Sequence, residues 1–318
     1  MQQIKTIALI GLGAIGCALA PRLQKAVGAQ NFRVIAGDAR KTRLESQGVT
    51  INGQNHRFNI VTPEEETGPA DLVIVIVKYG GLAAAIKDIG RQVGPDTIIV
   101  SFMNGIDSEE LLAAEYGWER VIYGLTRKSV VMKDGYCNYD PQQGWFVFGE
   151  ARNEQISPRI QTMADLFTRA AIPYKVEPDM IRTLWLKFAC NISENPSSAI
   201  LGIPFGAWHV SVHANQVREM AFREVIRIAR HKGINIDEAD LLQQRQHLTS
   251  VPYANKTSML QDIENGRTTE IEMLAGTICR LGRELGIPTP VNELFYHSLK
   301  VLEEKNAGLI KIDAPTTD

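Results

Sequence analysis

The sequence predicts an α/β domain built on a parallel sheet over residues 1–178, followed by a mostly α-helical domain over 179–318. Three observations carry this. Short apolar runs alternate with helix-like segments through the first half of the chain. The run Leu72-Val-Ile-Val-Ile-Val77 is apolar at every position, which marks a strand buried on both faces rather than one. Beyond about residue 179 strand signals nearly vanish, and apolar residues recur at helical spacing.

Residues 6–10 form a short strand that ends at a glycine, and 14–27 a helix. A second strand is expected over 32–36 and a third over 72–77, then a helix over 82–93 closed by the turn Gly94-Pro95-Asp96. Residues 97–101 form another buried strand. Ser108 is the expected cap of a helix that carries Glu109 and Glu110 in its first turn and stops at Gly117. Strands follow over 121–125, 130–132 and 145–148. Ser157-Pro158 is an N-cap followed by proline at the first helical position, and the helix after it buries Ile160, Met163, Phe167 and Ala170. Helices are then expected over 180–193, 217–232, 253–264 and 269–285. In the last, Ile271, Leu274, Ile278, Leu281 and Leu285 recur near 3.6 residues, and Gly286 with Pro288 ends the run. The polar tail 313–318 is expected to fray.

Composition narrows the function classes. A chain of 318 residues suits two domains. With 44% hydrophobic and 22% charged residues it is not a disordered chain. A formal net charge of −2 argues against a general grip on nucleic acid. No apolar run reaches the ~18 residues of a membrane helix, and MQQIKTIALIGLG lacks the pattern of a signal peptide, so a cytoplasmic protein without a membrane partner is expected. Cys17, Cys137, Cys190 and Cys279 are scattered without a CxxC pair and read as reduced thiols. His209 and His213 stand four apart without the glutamate of HExxH, so no metal is expected. No GxSxG nucleophile motif occurs. A homodimer is the base-rate assembly.

The segment Gly11-Leu12-Gly13-Ala14-Ile15-Gly16 follows the first strand directly and opens a helix. This is the glycine pattern of a Rossmann dinucleotide-binding domain: a tight turn at Gly11, close backbone approach to a pyrophosphate at Gly13, and close helix packing at Gly16. N–H groups at the helix start then face the phosphates. Asp38 lies 22 residues beyond Gly16, where a carboxylate holds the ribose 2′-OH of NAD. Arg40, Lys41 and Arg43 follow at once, and basic groups there hold the 2′-phosphate of NADP, so the residues leave the cofactor choice open. Lys78 and Asn104 follow buried strands and sit where they could face the nicotinamide half of the cofactor or a substrate.

In Trp185-Leu-Lys187-Phe-Ala-Cys-Asn191-Ile-Ser-Glu-Asn195-Pro196, Lys187, Asn191 and Asn195 are spaced i, i+4, i+8 on one helical face. That face overlaps the apolar stripe of Met180, Leu184, Phe188 and Ile192, whereas a solvated face would lie near Arg182 and Ser193. A lysine and two amides aimed inward are costly unless a polar network or a ligand satisfies them. Pro196 predicts a kink or helix end near Asn195. Later, Ser258-Met-Leu-Gln-Asp262 forms a helical turn, Asn265-Gly266-Arg267 a bend, and a Thr268 or Thr269 hydroxyl caps the next helix ahead of Glu270.

These segments, GLGAIG, VKYG at Lys78, MNG at Asn104, LWLKFACNISENPSSAIL and SMLQDIENGRTTEIE, together resemble the ketopantoate reductase (2-dehydropantoate 2-reductase) family over nearly the whole chain. The resemblance implies an NADP-dependent oxidoreductase of the pantothenate pathway that reduces a small 2-keto acid between a Rossmann and a helical domain. It implies Lys187 as the catalytic lysine and Glu270 as its acidic partner. It gives substrate- or cofactor-holding roles to Asn104, Asn191, Asn195 and Ser258, and places Lys78 near the nicotinamide. The chemistry agrees: hydride addition builds negative charge on a ketone oxygen, and a proton donor must reach it. Glu270 either anchors the substrate hydroxyl or orients Lys187.

Two features depart from the family pattern. The family often has an arginine just after the second strand, where this chain has Ala36-Gly37-Asp38-Ala39-Arg40, so NAD stands beside NADP. Thr126-Arg127-Lys128 is unusually charged and would alter substrate choice if it edged the site. The alternatives are a reductase of another 2-keto acid and a nucleotide-binding regulator without chemistry.

Overall fold

A computed structural model of the chain describes residues 3–133 and 135–310, with the backbone but not the side chains of Asp38 and Lys133. The tail 313–318 lies outside the described residues. The chain divides into two compact units, Met1–Ile181 and Arg182–Asp318.

The first unit is α/β. Its strands are β1 (Ile7–Ile10), β2 (Phe32–Ile35), β3 (Val49–Ile51), β4 (Gln54–His56), β5 (Asn59–Val61), β6 (Leu72–Val75), β7 (Ile98–Ser101), β8 (Val121–Thr126), β9 (Val131–Lys133), β10 (Tyr136–Asn138), β11 (Phe146–Gly149) and β12 (Tyr174–Lys175). Its helices are α1 (Ala14–Val27), α2 (Asp38–Gln47), α3 (Leu82–Asp88), α4 (Ser108–Tyr116) and α5 (Pro158–Arg169). Eight strands form one sheet in the order β12-β11-β8-β7-β6-β1-β2-β5. Strands β5, β2, β1, β6, β7 and β8 are parallel, and β11 turns antiparallel on β8. A small second sheet, β4-β3-β10-β9, completes the unit.

The continuous apolar strands are buried on both faces, as their composition predicts. In β1, Ile7 and Leu9 pack with Leu19 and Leu23 of α1 and Phe167 of α5. Ala8 and Ile10 pack on the other face with Leu82 of α3 and Leu112 of α4. β6 divides the same way, Leu72 and Ile74 against Val73 and Val75. Strand β1 pairs with β2 on one side and β6 on the other. The order of the chain therefore reverses at β1, and the crevice beyond the carboxyl ends of β1 and β6 is where doubly wound sheets hold ligands.

The second unit is helical: α6 (Met180–Leu201, which begins two residues earlier), α7 (Ala207–Val210), α8 (Val212–His231), α9 (Glu238–Leu248), α10 (Ser258–Glu264), α11 (Thr277–Leu285) and α12 (Pro290–Asn306). Buried charge ties three of them together. Glu219 of α8, fully buried, accepts from the Arg245 guanidinium of α9 through Nε at 2.6 Å and Nη2 at 2.5 Å. Glu194 of α6 accepts from Gln244 Nε2 of α9 at 2.7 Å.

Four expectations need correction. α6 does not end near Asn195 but runs through Pro196 to Leu201. Hydroxyls occupy carbonyls around the proline: Ser197 Oγ donates to Ser193 O at 2.6 Å, and Ser193 Oγ to Cys190 O at 2.9 Å. Ser193 is not on a solvated face but fully buried. The helix expected over 253–264 starts only at Ser258, where Thr257 is the cap, its Oγ1 accepting from Leu260 N at 3.2 Å. Ser108 is the first residue of α4 rather than its cap.

Candidate active site

The glycine-rich loop joins β1 to α1, and each glycine has its own reason to be there. Gly11 has φ +101°, and a Cβ on it would lie 1.9 Å from the Ile76 carbonyl oxygen beyond β6. Only glycine fits that seat. A Cβ on Gly16 would lie 2.2 Å from the Gly11 oxygen, so it lets α1 pack directly on the turn. At Gly13 nothing lies within 4 Å of the Cβ position. Gly13 is also the N-cap of α1, has no side chain to cap it, and no acidic residue stands in the first turn. Open space above bare N–H groups at a helix start fits a pyrophosphate in both shape and charge. Leu12, Ala14 and Ile15 complete the loop. One turn further on, a hydrogen bond with the Cys137 thiol of β10, together with burial, pushes the Cys17 thiol far up.

The β2 side holds the charged cluster. Asp38 is the first residue of α2; its side chain lies outside the described residues. Arg40 reaches back from α2, its Nη2 donating to the Leu12 carbonyl at 2.8 Å. Burial, and then Arg43, pull its guanidinium down from the usual range. Lys41 pairs with Glu65 and stands 3.9 Å from Glu45. Its charge is thus already engaged by carboxylates, which weakens the case for Lys41 as a phosphate ligand.

Lys78 and Asn104 follow β6 and β7 at the same edge of the sheet. Lys78 is exposed and Asn104 half-buried, with Gly105 at φ +104° completing the turn. A residue that sequence reasoning missed joins their loops: Tyr79 OH donates to Asp107 Oδ2 at 2.7 Å. Glu109 was legible only as a first-turn acid, yet it is a buried hub. Its Oε2 accepts from Ser108 Oγ at 2.8 Å and its Oε1 from the Gly124 amide at 3.3 Å. Nothing within the local sequence could have signalled those partners, because β8 supplies one of them. Lys128 Nζ donates to the carbonyls of Pro141 at 3.2 Å and Gln143 at 2.7 Å.

In the second unit, α6 is buried on nearly every side. The half-buried positions Thr183, Lys187, Asn191 and Asn195 fall at fourfold spacing and form one polar stripe along it. Leu184, Phe188, Ala189 and Ile192 beside them are buried. Ser258 is exposed at the start of α10, and Glu270 is half-buried. Neither Thr268 nor Thr269 caps the next helix: its N-cap is Ile271, with no side-chain cap hydrogen bond, and the Thr269 hydroxyl accepts from Ile271 N at 3.3 Å just ahead of it. That helix opens with a π-helical turn, Glu272–Gly276, a form often found at functional sites. The neighbouring Glu272 turns to α12, accepting from Tyr296 OH at 2.9 Å and pairing with Lys300 at 3.2 Å. His209 Nε2 is in contact with the Leu248 carbonyl at 2.9 Å. Among the described residues no group of three or more His, Cys, Asp or Glu could hold a metal, and no helix is long and apolar enough to cross a membrane.

Comparison with known proteins covers both units. Residues 7–153 match the family model described as ketopantoate reductase PanE/ApbA, and residues 179–303 match its C-terminal counterpart. A 2-dehydropantoate 2-reductase of Aquifex aeolicus is 27% identical over 303 residues, 93% of this chain and 96% of its own. An uncharacterized oxidoreductase of Bacillus subtilis, YkpB, is 26% identical over 300 residues, 93% of this chain and 98% of its own. The structure of a D-mandelate dehydrogenase with NADH and anilino(oxo)acetate shares the fold, with a TM-score of 0.85 and 20% identity over 95% of this chain and 99% of that one. Matched in sequence through both its Rossmann-type and its helical part, the chain belongs to the ketopantoate reductase family.

Proposed function

We propose that this chain reduces 2-dehydropantoate (ketopantoate) to pantoate with NADPH. The observation that carries the reading is the polar stripe Lys187–Asn191–Asn195 on a mostly buried helix. A lysine and two amides aligned on one helix face offer a proton donor, hydrogen-bond donors and acceptors to a small keto acid. Gly11–Gly16 would hold the pyrophosphate, with Arg40 at the 2′-phosphate and Lys78 and Asn104 toward the nicotinamide, which supplies the hydride when bound. Lys187 donates the proton to the ketone oxygen. Asn191, Asn195 and Ser258 offer donors and acceptors to the carboxylate and hydroxyl. Glu270 anchors the substrate hydroxyl or orients Lys187. The assembly we propose is a cytoplasmic homodimer, checked by light scattering.

A second reading, NADH with another small 2-keto acid, is favoured by one observation. Arg40 is already engaged by Leu12 and Lys41 by Glu65, while Asp38 opens α2. Steady-state kinetics across a panel of 2-keto acids with both cofactors separates the readings. Cofactor binding without oxidation by any keto acid would instead indicate a regulator. Arg40→Ala sharpens the test. If Arg40 holds the 2′-phosphate, KM for NADPH rises about tenfold to a hundredfold, the worth of one charge-assisted contact. KM for NADH stays within about twofold. An equal loss for both cofactors would mean that Arg40 acts only through the Leu12 loop.

A further inference from the structure

We infer that Glu109 is a positioning residue for the loop that carries Asn104, acting through a directed chain of hydroxyl groups. The inference rests on the reading above only in giving that loop a place beside the nicotinamide. The chain of contacts is continuous. The Met103 amide stands 3.3 Å from Ser101 Oγ, Ser101 Oγ 2.8 Å from Ser108 Oγ, and Ser108 Oγ 2.8 Å from Glu109 Oε2. The other oxygen, Oε1, accepts from the Gly124 amide at 3.3 Å. Ser101, Ser108 and Glu109 are all buried, so water does not substitute for a missing partner.

The direction of this chain depends on the carboxyl. When Glu109 is ionised it accepts from Ser108. Ser108 then accepts from Ser101, and Ser101 keeps a lone pair for the Met103 N–H, so every donor has an acceptor. When Glu109 carries a proton on Oε2, it donates to Ser108 and the order reverses. Ser108 then donates to Ser101, whose oxygen now serves both Ser108 and the Met103 N–H while its own hydrogen has no acceptor left in the chain; a hydroxyl that no longer donates is a poorer acceptor, and the hold on Met103 weakens. Met103 directly precedes Asn104.

The charged surroundings put this change within reach of neutral pH. Burial is the largest effect and pushes the Glu109 carboxyl up to about 7, against the pull of its Ser108 and Gly124 donors. Asp107, on the same loop, adds to the upward push. Tyr123 of β8 is pushed up to about 12, by burial first and then by Glu109 and Glu110, so it stays neutral and does not compete. Asp107 Oδ2 is held by Tyr79 OH, and its Oδ1 is buried without a hydrogen-bond partner. The loop is thus fastened at one end by Tyr79 and at the other by the Glu109 chain.

The test follows hydrogen exchange of segment 102–107 in the nucleotide-free protein from pH 5.5 to 8.5, corrected for intrinsic rates, with NADPH and NADH binding by fluorescence in parallel. In the wild type we expect protection of this segment to rise about threefold or more as pH passes 7, with nucleotide affinity rising alongside. Glu109→Gln keeps the shape but cannot titrate, so its profile is flat. Ser108→Ala leaves the carboxyl and cuts the chain. There the thermal midpoint still depends on pH, falling between about 4.5 and 7 because the folded state retains a proton that the unfolded state has lost, but loop protection does not. Wild-type and Glu109→Gln profiles that run parallel, with nucleotide bound normally, overturn the assignment. A loop that titrates in a protein binding neither nucleotide upholds the assignment and overturns the nucleotide reading instead.

Discussion

If Lys187 is the proton donor proposed above, Lys187→Ala is expected to lower turnover by about two to four decades while leaving the fold and nucleotide affinity intact. The size follows from what the residue is asked to do. Reduction of a ketone places developing charge on oxygen, and a positioned acid contributes about 10²–10⁴ to such a step. The separation from structure follows from its place. Lys187 is half-buried on the stripe, and the packing of α6 is carried by Leu184, Phe188 and Ile192 beside it. Truncation therefore removes no core side chain. Pre-steady-state oxidation of NADPH on mixing with ketopantoate measures the effect directly, and a thermal melt checks the fold. Near wild-type turnover in this variant would remove Lys187 from the mechanism. Asn191→Ala provides the contrast: a substrate-holding amide shifts KM more than kcat.

Two glycines only two residues apart are expected to fail in opposite ways. Gly11→Ala forces a β-carbon into φ +101° and against the Ile76 carbonyl oxygen at 1.9 Å. Backbone strain of ~1–3 kcal/mol and overpacking of ~1–3 kcal/mol add to roughly 3 kcal/mol or more. For a unit of this size that lowers the thermal midpoint by about 6–12 °C. Gly13→Ala meets nothing within 4 Å, and its φ of −95° suits any residue. Its melt should match the wild type. Its methyl group, however, would stand in the proposed pyrophosphate site at the start of α1, where each lost charge-assisted bond costs ~1.5–3 kcal/mol. Nucleotide affinity should then fall by about tenfold to a hundredfold. Calorimetry and nucleotide titration on the pair decide it: a Gly13→Ala protein that binds normally places the pyrophosphate elsewhere.

What could be read from the sequence was what depends on local pattern. The run after the first strand gives Gly11–Gly16 because strand, turn and helix are contiguous. The spacing of Lys187, Asn191 and Asn195 gives a shared face because a helix is periodic. What could not be read depends on distant partners. Strands β3 and β4 are three residues each, with Gln54, Asn55 and His56 polar throughout. Strand β3 becomes visible only when Ile51 pairs with Cys137. Helix α2 is so highly charged that Leu44 is its buried anchor, and it reads as a solvated loop. At Pro196, helix-breaking was the sound local expectation; the helix nonetheless continues to Leu201, with Pro196, Ser193 and Ser197 packed in the interior. Ser108 looked like a cap because its true partners, Ser101 and Glu109, meet only once β7 and α4 are in place.

The tight seat of Gly11 also orders events during folding. The seat is completed by the Ile76 carbonyl, which lies beside Gly11 once β6 has paired with β1. The chain must first close the loop that brings Leu72 beside Ile7, passing through β2 on the way. Such long-range closure is slow relative to helix formation. The seat of the glycine turn is therefore expected to be completed late in folding. In refolding experiments, recovery of nucleotide fluorescence should lag behind recovery of helical signal and coincide with the final phase.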